Sequence, residues 1–374
     1  MNFIELFSPN AVANDVEVLE SLKRQEIPVV MYGASIDVAD RIVKKLSANG
    51  ITVAAVAYDD ESPLMTDATA LLKDTPTIPA KEIDRTFPAC NVVPGFVKAY
   101  GNVGGVAGKF KNARSVSYLS EIFDMEIISP SFVLENKAFL ENFYNNLSDQ
   151  QSKDSLVAYL MSKTRQDMKY LPAVFDKIQY FPKGIFALSE KESYFDCGAF
   201  TGDTVMEFLK ATGGLYSRIW AAEPDKSNCE RLIKYVEESN LTNVTVINKG
   251  IYGSAGQLPF RADGNMLSMI TDDSDSYIDV DTIDNIVAGE PVTYIKMDVE
   301  GAELEALKGA EQTIRKYKPI LGISIYHRQS DLTDIPAYIK KIAPEYEFYF
   351  RVHKKLAIDT VLYAVVPASK QITL

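Results

Sequence analysis

Asp196-Cys197-Gly198-Ala199-Phe200-Thr201-Gly202-Asp203-Thr204 is the stretch that decides how this chain folds. It follows a short apolar run ending at Cys197 and precedes a helix expected to start near Asp203. Strand, glycine turn and helix in that order open a parallel α/β unit. Gly198 and Gly202 let backbone approach a ligand closely, and the first helical turn presents free N–H groups. The acids at the two ends of the loop, Asp196 and Asp203, would repel a pyrophosphate. They suit a cationic ligand better.

Outward from this loop, apolar runs and helical periods alternate to the C-terminus. Strands are predicted near Tyr194–Cys197, Ile219–Glu223, Val244–Ile247, Val292–Asp298, Ile320–Ile325, Glu347–Val352 and Thr360–Val366. Asp225 is placed to cap a helix that carries Cys229, Leu232, Ile233 and Val236 on one face. The polar link from Lys354 to Asp359 is too short for a parallel crossover, so the seventh strand should run antiparallel to the sixth. Ligands of open α/β sheets bind outside the carboxyl ends of the strands. Glu223 ends the second strand 27 residues after Asp196, in position for a bidentate hold on a ribose diol. A ligand with a ribose, a positive charge and no phosphate is S-adenosylmethionine.

The segments DCGAFTGDT, AAEPD, IKMDVEGAELEALKGA from Ile295 to Ala310, and ISIYHRQSDLTDIPAYI from Ile323 to Ile339 resemble the FkbM family of S-adenosylmethionine-dependent methyltransferases. The resemblance covers about Asp149 to Val366, and KMDVEGAE is its most specific piece. It implies a seven-stranded Rossmann-like methyltransferase sheet. It also implies that Asp196, Gly198 and Gly202, with Ala199, Thr201, Asp203 and Thr204 in the same loop, form the methionine side of the cofactor site. Glu223, next to Pro224, would hold the ribose, and Gly250 and Ile251 would border the adenine. The activity implied is O-methylation of a hydroxyl on a sugar, polysaccharide or other small molecule.

The fourth strand argues for an active site on its own terms. Lys296 lies inside a central strand, where sequences run apolar and a charge needs a partner. Asp298 is two residues along on the same face, and Asp298 and Glu300 fall at or just past the strand's carboxyl end, beside the expected methyl group. The plainer reading is a structural Lys296–Asp298 ion pair, with Glu300 starting a helix. Both histidines, His327 after the fifth strand and His353 after the sixth, land on the same rim. An imidazole titrating near neutrality is a suitable acceptor for a hydroxyl proton, so His327 leads as general base, ahead of Asp298 or Glu300 and of His353. Tyr326 and Arg328 either position a polar acceptor or are solvated. A metal at Asp298, Glu300 and His327 is chemically admissible, but no second histidine stands at ligand spacing, so none is expected. The acids Asp272, Asp273, Asp275, Asp279, Asp281 and Asp284 lack the glycine and terminal glutamate of a calcium loop. They read as a solvated strand edge with a helix cap at Asp284.

Three regions follow: a Rossmann-like α/β domain over residues 1–133, a helical connector over 134–190, and the methyltransferase domain over 191–374. In the first, Val29 to Ser35 and Ile51 to Tyr58 read as strands around a helix carrying Val38, Ile42, Val43 and Leu46. Asp59, Asp60 and Glu61 stand about where a dinucleotide fold puts its ribose-binding acid. The glycine fingerprint is broken, since only Gly33 matches and Ser35 and Val38 stand where the other two glycines belong. Packing or partner recognition is therefore the preferred role there. The stretch Gly101 to Gly108 reads as a loop or an anion cradle. Phe139, Phe143 and Leu147, then Leu156, Tyr159 and Leu160, give the connector its helical period. Its tail, Gln179-Tyr180-Phe181-Pro182, either folds over the ligand of the last domain or is a linker anchored by two aromatics.

Composition narrows the partners. A formal charge of -12 disfavours nucleic acid, whose nonspecific affinity comes from Lys and Arg. Cys90, Cys197 and Cys229 are too far apart for a disulfide framework or a CxxC-type zinc site. No apolar run approaches the ~18 residues that span a bilayer, and the N-terminus lacks a signal peptide, so a cytoplasmic protein is expected. A homo-oligomer is compatible with the sequence. Two other classes stay open: a catalytically silent protein that binds S-adenosylmethionine or a partner, and a nicotinamide-dependent enzyme using the N-terminal domain.

Overall fold

The computed structural model describes residues 15–60, 62, 72–96, 106, 108–119, 128, 130–165, 168–261, 269–270, 276–353 and 359–367. The chain forms two compact units. One takes the described residues of Met1–Lys137 and Val157–Ala173, the other those of Ala138–Leu156, Val174–Lys354 and Ile358–Leu374.

The first unit is built on strands β1 (Val29–Ala34), β2 (Val53–Tyr58), β3 (Thr77–Pro79), β4 (Cys90–Gly95) and β5 (Ala113–Val116). They pair in the order β3-β2-β1-β4-β5, every pair parallel. β1 is buried along its whole length, as expected of a central parallel strand. The helix Ile36–Ala48 turns Val38, Ile42, Val43 and Leu46 inward, all buried. Gly33 has φ +66°, and a Cβ there would lie 2.4 Å from the Phe96 ring, so packing alone demands this glycine. Of the Gly101 to Gly108 stretch, only Val106 and Gly108 are among the described residues. Glu61 lies outside them.

The second unit centres on a seven-stranded sheet of β6 (Ser193–Cys197), β7 (Arg218–Ala222), β8 (Val244–Ile247), β13 (Tyr294–Met297), β14 (Ile320–Ser324), β15 (Glu347–Val352) and β16 (Thr360–Val365). Its order is β15-β16-β14-β13-β6-β7-β8. β16 enters between β14 and β15 and runs antiparallel to both, while the pairs from β14 through β8 are parallel. The chain winds from β6 outward to β8 and then returns to the other side, so the order reverses between β6 and β13. Open α/β sheets bind ligands at such a point.

An aromatic cluster fills one region of the core. Tyr194 stacks on Phe208 at 4.4 Å between ring centroids, and Phe181 packs edge-on against Tyr294 at 5.5 Å. Tyr180 and Phe181 are both buried, so the tail of the connector region is anchored within this unit. The edge strand β15 is covered by isolated bridges from Leu147 to Phe348 and from Phe175 to Val352.

A smaller sheet was not expected from the sequence. β9 (Gly250–Ile251), β10 (Gly256–Arg261), β11 (Met269–Ile270) and β12 (Tyr277–Asp281) pair in the order β11-β10-β12-β9. Within the acidic run, Asp279 and Asp281 lie on β12, while Asp272, Asp273 and Asp275 fall outside the described residues. Thr282, not Asp284, caps the helix Ile283–Val287. Asp284 instead accepts N–H bonds from Gln312 and Thr313, capping the helix Glu311–Tyr317 from across a gap in sequence.

Candidate functional site

Register explains the buried lysine. Lys296 on β13 pairs directly with Asp196 on β6. Adjacent strands lie about 4.8 Å apart, whereas residues two apart on one strand are separated by about 6.6 Å. The cross-strand carboxylate therefore wins, and Lys296 Nζ sits 3.1 Å from Asp196 Oδ1 with both side chains buried. This replaces the Lys296–Asp298 ion pair expected from spacing. Lys296 also donates to the carbonyls of Cys197 at 3.2 Å and Gly198 at 2.6 Å, and its ammonium lies 5.3 Å from the centre of the Tyr180 ring. Burial works against its charge, but Asp196, Asp298 and Asp203 hold its pKa above the ordinary lysine value. Lys296 is thus the strut under the glycine loop.

Asp196 has the complementary position. Burial raises its pKa, opposed by Lys296 and by the Thr204 hydroxyl that donates to Oδ2. With its carboxylate so engaged and fully buried, Asp196 fixes the start of the helix Asp203–Ala211 to the end of β6. Gly198 has φ +76°, and a Cβ there would lie 2.0 Å from the Asp298 carbonyl oxygen. The loop can close over β13 only because this residue is glycine. Ala199 is buried, Thr201 is partly buried and Asp203 is exposed.

Glu223 follows β7 and faces this loop. Its Oε2 accepts the Phe200 N–H at 2.9 Å and its Oε1 accepts the Asp225 N–H at 2.9 Å. Burial pushes its pKa up to about 7, against the pull of those two N–H groups. Asn248 ties the next element in, donating to the carbonyls of Glu223 at 2.9 Å and Pro224 at 3.0 Å. Gly250 and Ile251 pair with Val280 and Asp281, and a Cβ at Gly250 would be 3.9 Å from Pro224. The residues expected on the ribose and adenine sides are therefore neighbours.

A third group gathers past β13 and β14. Asp298 Oδ2 accepts the Tyr180 hydroxyl at 2.8 Å and Oδ1 accepts the Tyr326 hydroxyl at 3.2 Å. His327 Nε2 stands 3.6 Å from Asp298 Oδ1 and 3.3 Å from Glu300 Oε2, and its Nδ1 is 2.9 Å from Glu303 Oε1. Burial raises Asp298, but Lys296, His327 and the Tyr180 hydroxyl bring its pKa below the usual carboxylate value. Burial also raises Glu300, more than His327 lowers it. For His327 burial favours the neutral ring, yet Glu303 and Glu300 outweigh it and lift the pKa well above the ordinary imidazole value. Caged this way, His327 has its protonated form favoured by the carboxylates around it.

Residues 196–349, which contain all three groups except Tyr180, match the family model of the methyltransferase FkbM domain. These residues form a methyltransferase FkbM domain. Among solved structures, the methyltransferase FkbM from Methylobacillus flagellatus KT covers 97% of this chain and 98% of its own at 23% identity, with a TM-score of 0.74. That likeness shows a shared fold. An rRNA methylase from Streptococcus thermophilus matches at 14% identity over 48% of this chain and 87% of its own, with a TM-score of 0.32. Fibrillarin from Aeropyrum pernix, solved with S-adenosyl-L-methionine, matches at 16% identity over 49% of this chain and 71% of its own, also at 0.32. No curated protein matches the chain.

His353, beyond the matched residues, stands apart from His327. Its Nε2 meets the Tyr363 hydroxyl at 2.8 Å and its Nδ1 the Asp176 carbonyl at 3.1 Å, the pattern of a satisfied core histidine. Arg328 is exposed, while Tyr326 is buried on Asp298. Three participants were not among the expected site residues, although Tyr180 lies in the connector tail read as able to fold over the ligand. Tyr180 precedes the FkbM domain, Ser324 ends β14 with its hydroxyl 3.2 Å from that of Tyr180, and Glu303 is wholly buried behind His327. Glu303 carried a signal too, since it closes the KMDVEGAE segment.

Proposed function

We propose that the FkbM domain is an S-adenosylmethionine-dependent methyltransferase acting on a hydroxyl of a sugar, polysaccharide or other small molecule. The observation that carries this reading is Glu223, anchored through both oxygens by backbone N–H groups beside the glycine loop where the strand order reverses. Each oxygen keeps a lone pair for a ribose hydroxyl. The loop Gly198–Gly202 would back the methionine portion, and Pro224, Gly250 and Ile251 the adenine. Asp196 supports that loop from beneath. The surplus of carboxylates suits a sulfonium.

When bound, S-adenosylmethionine supplies an already activated methyl group, so the chain's task is alignment and proton removal. Glu300, partly exposed and with its pKa raised by burial, is the group placed to take the hydroxyl proton. His327 stands between Asp298 and Glu300. The three buried free cysteines agree with a reducing compartment. Among the described residues no helix is long and apolar enough to cross a membrane.

The test is calorimetry with S-adenosylmethionine, followed by transfer of labelled methyl to a panel of hydroxyl compounds. Saturable binding lost in Glu223→Ala supports the site, and binding unchanged in that variant sinks it. His327→Ala should keep cofactor affinity and lose turnover.

A further inference from the structure

The cluster behind β13 and β14 holds a feature that proton transfer does not use. One oxygen of Asp298, one of Glu300 and one nitrogen of His327 lie within 4.8 Å of one another. The His327 side chain is 5% exposed, and neither ring nitrogen has a hydrogen-bond partner of acceptable geometry. An imidazole this deeply buried ordinarily spends both nitrogens, so Nε2, aimed between two carboxylates, lacks its expected partner. Behind the ring, Glu303 is wholly buried and approaches Nδ1 at 2.9 Å. A carboxylate in that place is the outer partner that orients a metal-binding histidine.

Spacing agrees. Ligand atoms about 2.1 Å from a shared ion are about 3.0 Å apart at octahedral and about 3.4 Å apart at tetrahedral angles. His327 Nε2 is 3.3 Å from Glu300 Oε2 and 3.6 Å from Asp298 Oδ1, so a small closure would seat an ion. Three carboxylates face one imidazole, which leaves a net negative charge for a cation to neutralise. Tyr180 and Tyr326 hold Asp298 from the protein side, fixing one ligand in advance.

We propose that Asp298, Glu300 and His327 bind a divalent first-row metal ion, with Glu303 as the positioning residue behind the histidine. One nitrogen and two carboxylate oxygens favour manganese or zinc over calcium, which takes six to eight oxygens. An ion there would bind the acceptor hydroxyl and lower its pKa, leaving the unliganded oxygen of Glu300 to receive the proton. That role rests on the methyltransferase reading. The binding of the ion does not.

The experiment uses the full chain, stripped with chelator and titrated with Mn²⁺ while free Mn²⁺ is followed by electron paramagnetic resonance. The expected result is one saturable site per chain, weakened at least tenfold in Glu300→Gln and His327→Ala and roughly 10–100-fold in Glu303→Gln. Asp279→Asn, on the exposed strand β12, should leave affinity unchanged. Spin-echo modulation on the Mn²⁺-loaded native chain should show a coordinated imidazole nitrogen, a readout that needs no variant to fold. No saturable Mn²⁺ or Zn²⁺ site, or a site without that nitrogen, overturns the proposal. S-adenosylmethionine affinity is measured separately: an ion site without cofactor binding overturns the methyltransferase reading and keeps the metal.

Discussion

Asp59 and Glu223 occupy corresponding places in two different sheets. Each follows the strand next to the one at which the order reverses, β2 beside β1 and β7 beside β6. Asp59 is neutralised: Lys109 Nζ lies 2.8 Å away and the Tyr32 hydroxyl donates to both its oxygens at 3.0 and 2.9 Å. Among the described residues the hydrogen bonds to Glu223 come from backbone N–H groups, and no salt bridge closes on it. The same topology thus yields a closed ion pair in one unit and an open acceptor in the other, and the proposed diol contact falls to the second. Fold supplies the place, and the local partners decide its use.

Glu223→Ala should show the contrast most strongly. Losing two hydrogen bonds from a charged acceptor, each worth about 1.5–3 kcal/mol, lowers S-adenosylmethionine affinity by about 100-fold or more. Asp59→Ala should change it less than about twofold. Equal losses in calorimetry would break the comparison.

The two lysines should differ nearly as much. Lys296→Met strands a buried Asp196 and should cost about 3–5 kcal/mol in the unfolding of its unit. Lys109→Met opens a pair that is partly exposed, and should cost about 1 kcal/mol or less. By the same logic Asp196→Ala should destabilise the fold, where sequence reasoning expects only a loss of cofactor. A scanning-calorimetry profile in which Lys109→Met is the worse variant would reverse this assignment.

The pH dependence is a finer test. Glu223 has a folded-state pKa of about 7, above its unfolded value, so the folded chain binds more protons between pH 4.5 and 7. Stability is then lost as pH rises through that window. Glu223→Gln removes the ionisation, so its stability relative to the native chain should climb by about 1–3 kcal/mol from pH 5 to pH 8. A flat difference would mean that Glu223 titrates normally. Smallest of all, NADH should leave the melting temperature unmoved, while S-adenosylmethionine raises it.

The strands of the large sheet were legible because each is a short, mostly apolar stretch, and the short Lys354–Asp359 link already required the antiparallel ending. β9 and β11 were not legible, since two residues carry no period, and Pro259 argues against a strand at β10. Lys296 was recognisable as a charge in need of a partner. Its partner was not, because register between β6 and β13 appears nowhere in a linear sequence. His327 was found by its position after β14, but its charge state depends on Glu300 and Glu303, which reach it only in the folded chain.

β16 has a consequence for synthesis. Thr360–Val365 leaves the ribosome after β14 and β15, yet it lies between them and pairs with both. A nascent chain that stops before Thr360 has β14 with an open edge and β15 with no neighbour in the sheet. The same strand carries Tyr363, whose hydroxyl accepts the Tyr180 N–H at 2.8 Å, and Tyr180 in turn holds Asp298. Completion of the rim that holds Asp298 therefore waits until β16 has been made, and a product truncated before Thr360 should be inert rather than half active.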